Sequence, residues 1–397
     1  MRIVHLADLH LGFRQYQRLT PGGINQREAD VANTATRAID RVIGLAPDAV
    51  VIAGDVFHSV RPSNTAILHA YRMFLKLREA LPDAAIVMVA GNHDAPRTTD
   101  AGCILRLFRE IGIAVADARA ELFTFPHLSL AVLAVPDVPG IERPPLLPES
   151  GFKHNVLLLH GEIEGMLGAN VAPADRAAIE IPVADLHAER WSYVALGHYH
   201  VYREVTPRTY YSGSIDYTSS NPWGEKREEH DTGVAGKGFI EHDLESHAHR
   251  FHHVPPARDL LDLEPIDARG FSALELDAAI FAELNAVPGA IDDRVVRLLV
   301  RNVPRHIARE LDQTALREFR RRALHFQLDT RKPEPVSVRM TGGAPGRRAT
   351  LEELVAERLR ERVLPAGVER DTLVSLGLRY LAEAEETVGA AMPVLNG

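Results

Sequence analysis

Six short apolar runs in the first 255 residues do most to restrict what this chain can fold into. They cover residues 2–7, 49–53, 85–90, 129–135, 155–159 and 191–196 and are rich in Val, Ile and Leu. Runs this short, without polar alternation, read as strands buried on both faces. Amphipathic stretches stand between them. In residues 64–81, Ile67, Leu68, Tyr71, Phe74, Leu75 and Leu77 fall at near-helical spacing. That stripe faces the core, or in part a second subunit. The alternation predicts an α/β fold.

With 397 residues and 46% hydrophobic content, the chain can bury a sizeable core and accommodate two or three domains. Its one cysteine, Cys103, precludes an internal disulfide and fits a reducing compartment; it lies among apolar neighbours in residues 101–111 and is expected in the core. No stretch at the N-terminus reads as a signal peptide, and no uncharged run approaches bilayer length. The expectation is a cytoplasmic protein with no membrane partner. A net charge of −9 argues against a simple nucleic-acid binder. The objection weakens for a metalloenzyme, because bound divalent cations invert the local charge.

The composition changes beyond residue 255. Residues 293–303 read as a strand and 315–324 as a helix, giving a small α/β unit over 256–335. Residues 336–349 fall in a Pro/Gly-rich stretch and are expected to be a linker. In the segment 350–397, Thr350-Leu351-Glu352-Glu353 is a capping-box start, Pro365-Ala366-Gly367 interrupts the helical pattern, and a second helix follows from Asp371. A helix pair this short buries little alone, so it folds back on the core or docks on a partner.

The chemistry lies at the ends of the apolar runs. Asp8 and His10 follow the first, Gly54-Asp55 the second, Gly91-Asn92-His93-Asp94 the third, His160-Gly161 the fifth and Gly197-His198-Tyr199-His200 the sixth. Ligand sites in α/β folds form at the carboxyl ends of strands, and glycine beside a ligand lets backbones approach closely. Two Asp, four His and one Asn offer hard and borderline donors without thiolate, a set suited to manganese, iron or zinc. Seven donors exceed one tetrahedral site and fit two ions sharing a carboxylate, the arrangement that drives in-line displacement at phosphorus. If residues 8–10 stay extended, Asp8 and His10 point to the same face.

These five segments resemble the signature motifs of calcineurin-like metallophosphoesterases. The chain is most similar to the SbcD-type DNA repair nucleases through Asp8-Leu9-His10-Leu11-Gly12, Gly54-Asp55-Val56-Phe57-His58 with Arg61-Pro62-Ser63, and Tyr211-Ser212-Gly213-Ser214 with Lys237-Gly238-Phe239. The resemblance covers residues 1 to about 255; beyond that only the layout matches. It implies a four-layer α/β/β/α sandwich (residues 1–255), a small α/β capping domain that meets DNA (256–335) and a C-terminal helix pair (350–397). It implies one metal held by Asp8, His10, Asp55 and His200, and a second by Asp55, Asn92, His160 and His198, most simply as Mn2+. His93 would stabilise charge or protonate the leaving oxygen, Asp94 would orient its imidazole, and His58 would touch the DNA backbone. Exonuclease and endonuclease action on DNA, a homodimer and an SbcC-type SMC-like ATPase partner follow from the resemblance only. The alternative on the same fold is a hydrolase of small phosphomonoesters or phosphodiesters. The stretch from Ser214 through Asn221-Pro222-Trp223-Gly224 to Asp231 has no close counterpart in the family pattern.

Other signals are blander. Arg14, Arg18 and Arg27 read first as solvated ion pairs, and Arg320-Arg321-Arg322 as complements to a helix dipole. His242, His247, His249, His252 and His253 suit an exposed strand and turn, and Trp223 half-buried packing.

Overall fold

A computed structural model of the protein describes residues 1–96, 102–140, 145–166, 176–333, 350–362 and 369–390. The linker expected at 336–349 and the break at Pro365-Ala366-Gly367 lie outside them. In chain order the first elements are β1 (Arg2–Leu6), α1 (Gln26–Leu45), β2 (Ala49–Ala53), α2 (Asn64–Ala80), β3 (Ala85–Val89), β4 (Ala114–Ala116), β5 (Glu121–Phe125), β6 (Leu130–Val135) and β7 (His154–His160). There follow β8 (Glu162–Ile163), β9 (Glu180–Ile181), β10 (Tyr193–Gly197), β11 (Arg203–Thr206), β12 (Thr209–Tyr211), α3 (Pro222–Thr232), β13 (Gly238–Asp243) and β14 (His249–His253).

All six apolar runs are strands. They supply β1, β2 and β3 to one six-stranded sheet, ordered β14-β13-β1-β2-β3-β4, and β6, β7 and β10 to another, ordered β11-β12-β10-β7-β6-β5. Within each trio neighbours run parallel, so their carboxyl ends lie side by side: Leu6 opposite Ile52, Ala53 opposite Val89, Gly197 opposite His160. Both faces of these strands are covered, which is why their sequences do not alternate. Ile3, Val51, Val87, Val132 and Leu158 fill the space between the sheets. Val4, Leu6, Val50 and Ile52 pack outward on Ile39 and Val42 of α1 and on Phe74 and Leu77 of α2. Leu157, Leu159 and Val194 on the far face of the second sheet meet Trp191, Leu186, Ile163 and Ile181, from short turns and the β8–β9 ribbon.

Both helices start on side-chain caps: Asn25 accepts from the Arg27 and Glu28 amides, and Ser63 from the Ala66 amide. The apolar stripe of α2 divides. Phe74 and Leu77 are buried with Ala66, Ala70 and Met73, whereas Leu68 is 54% exposed.

Three further strands, β15 (Leu260–Asp267), β16 (Val295–Arg301) and β17 (His325–Thr330), form a parallel sheet with α4 (Ala273–Ala286), α5 (Arg305–Glu310) and α6 (Gln313–Arg322). Its own core contains Leu276, Ile280, Val296, Leu298 and Phe319. It belongs with the preceding residues to one compact unit, Met1–Pro333. Tyr16 stacks on His325 at 4.1 Å, and the buried Trp223 donates from Nε1 to Gln327 Oε1 at 3.3 Å. In the second unit, Glu334–Gly397, α7 (Leu351–Glu361) begins on the Thr350/Glu353 capping box and packs against α8 (Arg370–Ala390).

Of the arginines expected on the surface, Arg14 and Arg18 pair with Glu28 and Asp293 at 2.7 and 2.6 Å. Arg27 is a correction. It is buried and donates to Asp216 at 2.8 Å and to the Tyr217 carbonyl at 3.0 Å, tying α1 to the 214–217 loop. Arg321 and Arg322 in the last turn of α6 pair with Glu318 and Asp292, each at 2.7 Å. The histidines of the β13–β14 hairpin form no group of three metal donors among the described residues.

Candidate metal centre

Past the ends of β1 and β2 the chain does not stay extended, contrary to the simplest expectation for Asp8 and His10. Asp8, His10 and Asp55 adopt left-handed backbones with φ of 52°, 46° and 51°, and His198 has φ of 104°. Such conformations are unfavourable for side-chain-bearing residues and persist where the surroundings over-determine them. Here the two loops are laced together. The Asp8 amide donates to Gly54 O at 3.0 Å, His10 to Asp55 O and Leu11 to Val56 O at 2.9 Å, and His58 back to Leu11 O at 3.0 Å. Glycines permit the approach. A Cβ on Gly91 would stand 2.6 Å from the Asp55 amide nitrogen. One on Gly197 would land on the Ala53 carbonyl, 2.8 Å from its carbon and 3.0 Å from His160 Nδ1.

His10, Asp55, His198 and His200 line an open cleft of about 710 Å³, and Asp8 and His160 are fully buried. Asp8, His10 and His200 bring ligand atoms within 4.8 Å of one another; so do Asp8, Asp55 and His160, and so do His10, His58 and His93. Asp55 Oδ2 stands between, 3.8 Å from His10 Nε2 and 3.5 Å from His160 Nε2. His160 donates from Nδ1 to the Ala53 carbonyl at 2.8 Å, which turns Nε2 toward Asn92 Oδ1 at 3.0 Å. The Nε2 atoms of His10 and His200 face each other at 3.1 Å. His198 joins none of these groups of three. Its amide donates to the Asp8 carboxylate at 3.1 Å, and its buried Nε2 has no hydrogen-bond partner.

The set fits divalent cations. The facing imidazole nitrogens of His10 and His200, the Asp55 carboxylate between His10 and His160, and the orphaned buried Nε2 of His198 are donors short of a positive centre. Burial, reinforced by neighbouring histidines, holds His10 well below its usual range and His198 at about 3, so both are neutral as a ligand must be. Burial would lower His160 too, but Asp55, Asp8 and Asp137 outweigh it and raise it to about 9.

His93 sits at the rim. Its amide donates to Asp55 Oδ1 at 2.9 Å and its Nδ1 to the His58 carbonyl at 2.8 Å, and its ring stacks on His58 at 5.2 Å between centroids. His58 also meets Phe13 edge-on at 4.9 Å. Asp94 requires a correction: it does not orient the His93 imidazole, a task that falls to the His58 carbonyl. Its buried carboxylate points away and accepts the amides of Val56, Phe57 and Gly91 at 3.1, 2.9 and 3.1 Å, clamping the two ligand loops.

The calcineurin-like phosphoesterase profile matches residues 1–236, more than half of the chain. The chain belongs to this family. The phosphoesterase is 27% identical to the DNA double-strand break repair protein Mre11 of Methanocaldococcus jannaschii, over 67% of this chain and 66% of that one. It is 27% identical to Mre11 of Methanococcus maripaludis over 62% and 63%, and 29% identical to Mre11 of Sulfurisphaera tokodaii over 51% and 49%. It thus spans about half to two thirds of the length of the curated relatives it matches. Among solved structures, TT1561 of Thermus thermophilus aligns over 64% of this chain and 99% of its own, at 10% identity and a TM-score of 0.36. The family works with divalent metal ions, and this phosphoesterase has the side chains to hold them. Among the described residues, no helix is long and apolar enough to cross a membrane.

Two residues of the phosphoesterase's site were not legible as such. Glu225 on α3 accepts from His200 Nδ1 at 3.2 Å, and Lys237, fully buried, pairs with Glu225. Burial alone would raise the Glu225 carboxyl, but Lys237 and His200 hold it at about 2. Glu225 lies in the stretch without a family counterpart, and no local pattern marks a lysine as buried.

Proposed function

We propose that this phosphoesterase is a two-metal nuclease that hydrolyses DNA phosphodiester bonds, as exonuclease and endonuclease, in double-strand break repair. The observation that carries this is that Asp8 groups with His10 and His200 on one side and with Asp55 and His160 on the other, with Asp55 Oδ2 between His10 and His160. One ion would be held by Asp8, His10, Asp55 and His200, the other by Asp55, Asn92, His160 and His198, with manganese in both. Two such ions neutralise charge on the phosphate and activate a water for in-line attack at phosphorus.

The chain's own groups supply the rest. With its Nδ1–H committed to the His58 carbonyl, His93 turns Nε2 outward, where it can hold the proton that the leaving oxygen needs. The His58–His93 stack, backed by Phe13, makes a rigid wall at the cleft on which the strand backbone lies. The names of the relatives support DNA as substrate, and a cytoplasmic location accords with the buried free thiol of Cys103.

The unit at 256–335 is read as the capping domain that meets DNA, and 350–397 as the segment that binds an SbcC-type ATPase. Leu376 and Tyr380, 38% and 60% exposed on α8, suit such a partner. A homodimer through α2 accords with Leu68 at 54% exposure, in line with half-buried Tyr71 and Leu75.

A labelled duplex incubated with Mn2+, beside p-nitrophenyl phosphate and its bis-ester, tests the substrate. Degradation of the duplex is expected; hydrolysis of the monoester alone would move the assignment to small phosphate esters. Deleting residues 350–397 should abolish binding of an SbcC-type ATPase and spare metal uptake, and unchanged association would remove the partner from the proposal.

A further inference from the structure

Helix α3 presents a buried polar cluster to the back of His200. Glu225 Oε1 lies 3.2 Å from His200 Nδ1, and the other carboxylate oxygen pairs with Lys237 Nζ. The same ammonium donates to the His200 backbone carbonyl at 2.8 Å, stands 3.0 Å from Glu229 Oε1, and lies 4.5 Å from the centre of the Tyr217 ring. Tyr217 closes the cluster by donating from its hydroxyl to Glu229 at 2.5 Å. Lysine is therefore bound at once to the main chain of His200 and to the carboxylate that holds its side chain.

The geometry settles which imidazole nitrogen faces the cleft. A carboxylate can only accept, so Nδ1 carries the proton and Nε2 is left bare toward His10. The two carboxylates carry one charge more than Lys237 balances, and that excess lies against the imidazole. We infer that Glu225 is a positioning residue for His200: with Lys237 as its clamp, it fixes the ring so that Nε2 points at the metal centre, and its charge strengthens that nitrogen as a donor. The assignment rests on the metal centre proposed above. Outer carboxylates of this kind act on ligand histidines by fixing orientation and raising basicity.

A purely structural role, as counter-ion to a buried lysine, predicts something else. Glu229 pairs with the same ammonium but does not touch His200. Mn2+ titration calorimetry on the full chain should therefore separate the two carboxylates. Glu225→Ala is expected to weaken Mn2+ binding by about 10–100-fold, Glu225→Gln, which keeps an acceptor, by less, and Glu229→Gln hardly at all. Should Glu225→Ala, which leaves Lys237 only Glu229 as counter-ion, unfold the chain, Glu225→Ala/Lys237→Met removes the ammonium and should show the same weakened binding. Equal losses in Glu225→Ala and Glu229→Gln, or wild-type affinity in the double variant, would overturn the positioning role while leaving the metal centre standing. Failure of the wild-type chain to take up Mn2+ would overturn both.

Discussion

Gly197→Ala tests how closely the centre is built on the contact between β10 and β2. The added methyl would fall on the Ala53 carbonyl, 2.8 Å from its carbon, so that carbon must retreat by at least 0.6 Å to reach ordinary contact at 3.4 Å. Both strands are central and buried, and overpacking of this kind costs about 1–3 kcal/mol. The displaced carbonyl is also the acceptor that fixes His160 Nδ1, and a buried polar group left without its partner costs a further ~1–3 kcal/mol. The expected loss is about 2–6 kcal/mol, a large part of a typical domain's 5–15 kcal/mol. Urea unfolding followed by circular dichroism measures it. Gly44→Ala, in α1 with nothing within 4 Å of its added carbon, serves as control and should be neutral or up to ~1 kcal/mol more stable. Mn2+ affinity should fall in Gly197→Ala alone. Agreement of the two variants within ~1 kcal/mol, with equal metal affinity, would refute the reasoning.

His93→Ala should slow duplex degradation by about 10²–10⁴-fold with Mn2+ affinity unchanged, measured by gel assay and calorimetry; weakened metal binding would make it a ligand instead. Asp94→Ala strands three buried amides and should lower stability by roughly 3 kcal/mol or more, seen as a depressed Tm; an unaltered Tm would contradict the clamp between the ligand loops. Before metal binds, His160 is held at about 9, above its unfolded value of 6.5, so its charged form contributes stability in full below pH 6.5 that is lost as pH rises through 9. Mn2+ uptake between those values must displace that proton, and the apparent binding enthalpy at pH 7.5 should vary with the buffer's ionisation enthalpy; no variation would exclude the assignment. His198, held at about 3, contributes no proton there.

The six inner strands β1, β2, β3, β6, β7 and β10 and the donors that follow them were legible because both depend on local composition. An unbroken Val/Ile/Leu run needs cover on both faces, and parallel strands so covered align their carboxyl ends wherever the intervening helices fall. Asp8, Asp55, Asn92, His160 and His200 could be read as neighbours on that ground alone. The directions of the side chains could not. Whether Asp8 and His10 leave β1 extended or left-handed is decided by amides that bond to Gly54 and Asp55, more than forty residues away in sequence. Asp94 adjoins His93 in the chain yet faces the amides of Val56, Phe57 and Gly91. Glu225 resembles any surface charge, and Lys237 lies in a family motif without any sign of burial, until α3 folds behind His200 and removes their water. Sequence determines which groups arrive at the end of a strand, because hydrophobic pattern is a local property. Only the tertiary structure decides which way they turn and what holds them, because buried polar atoms take partners from wherever the fold supplies them.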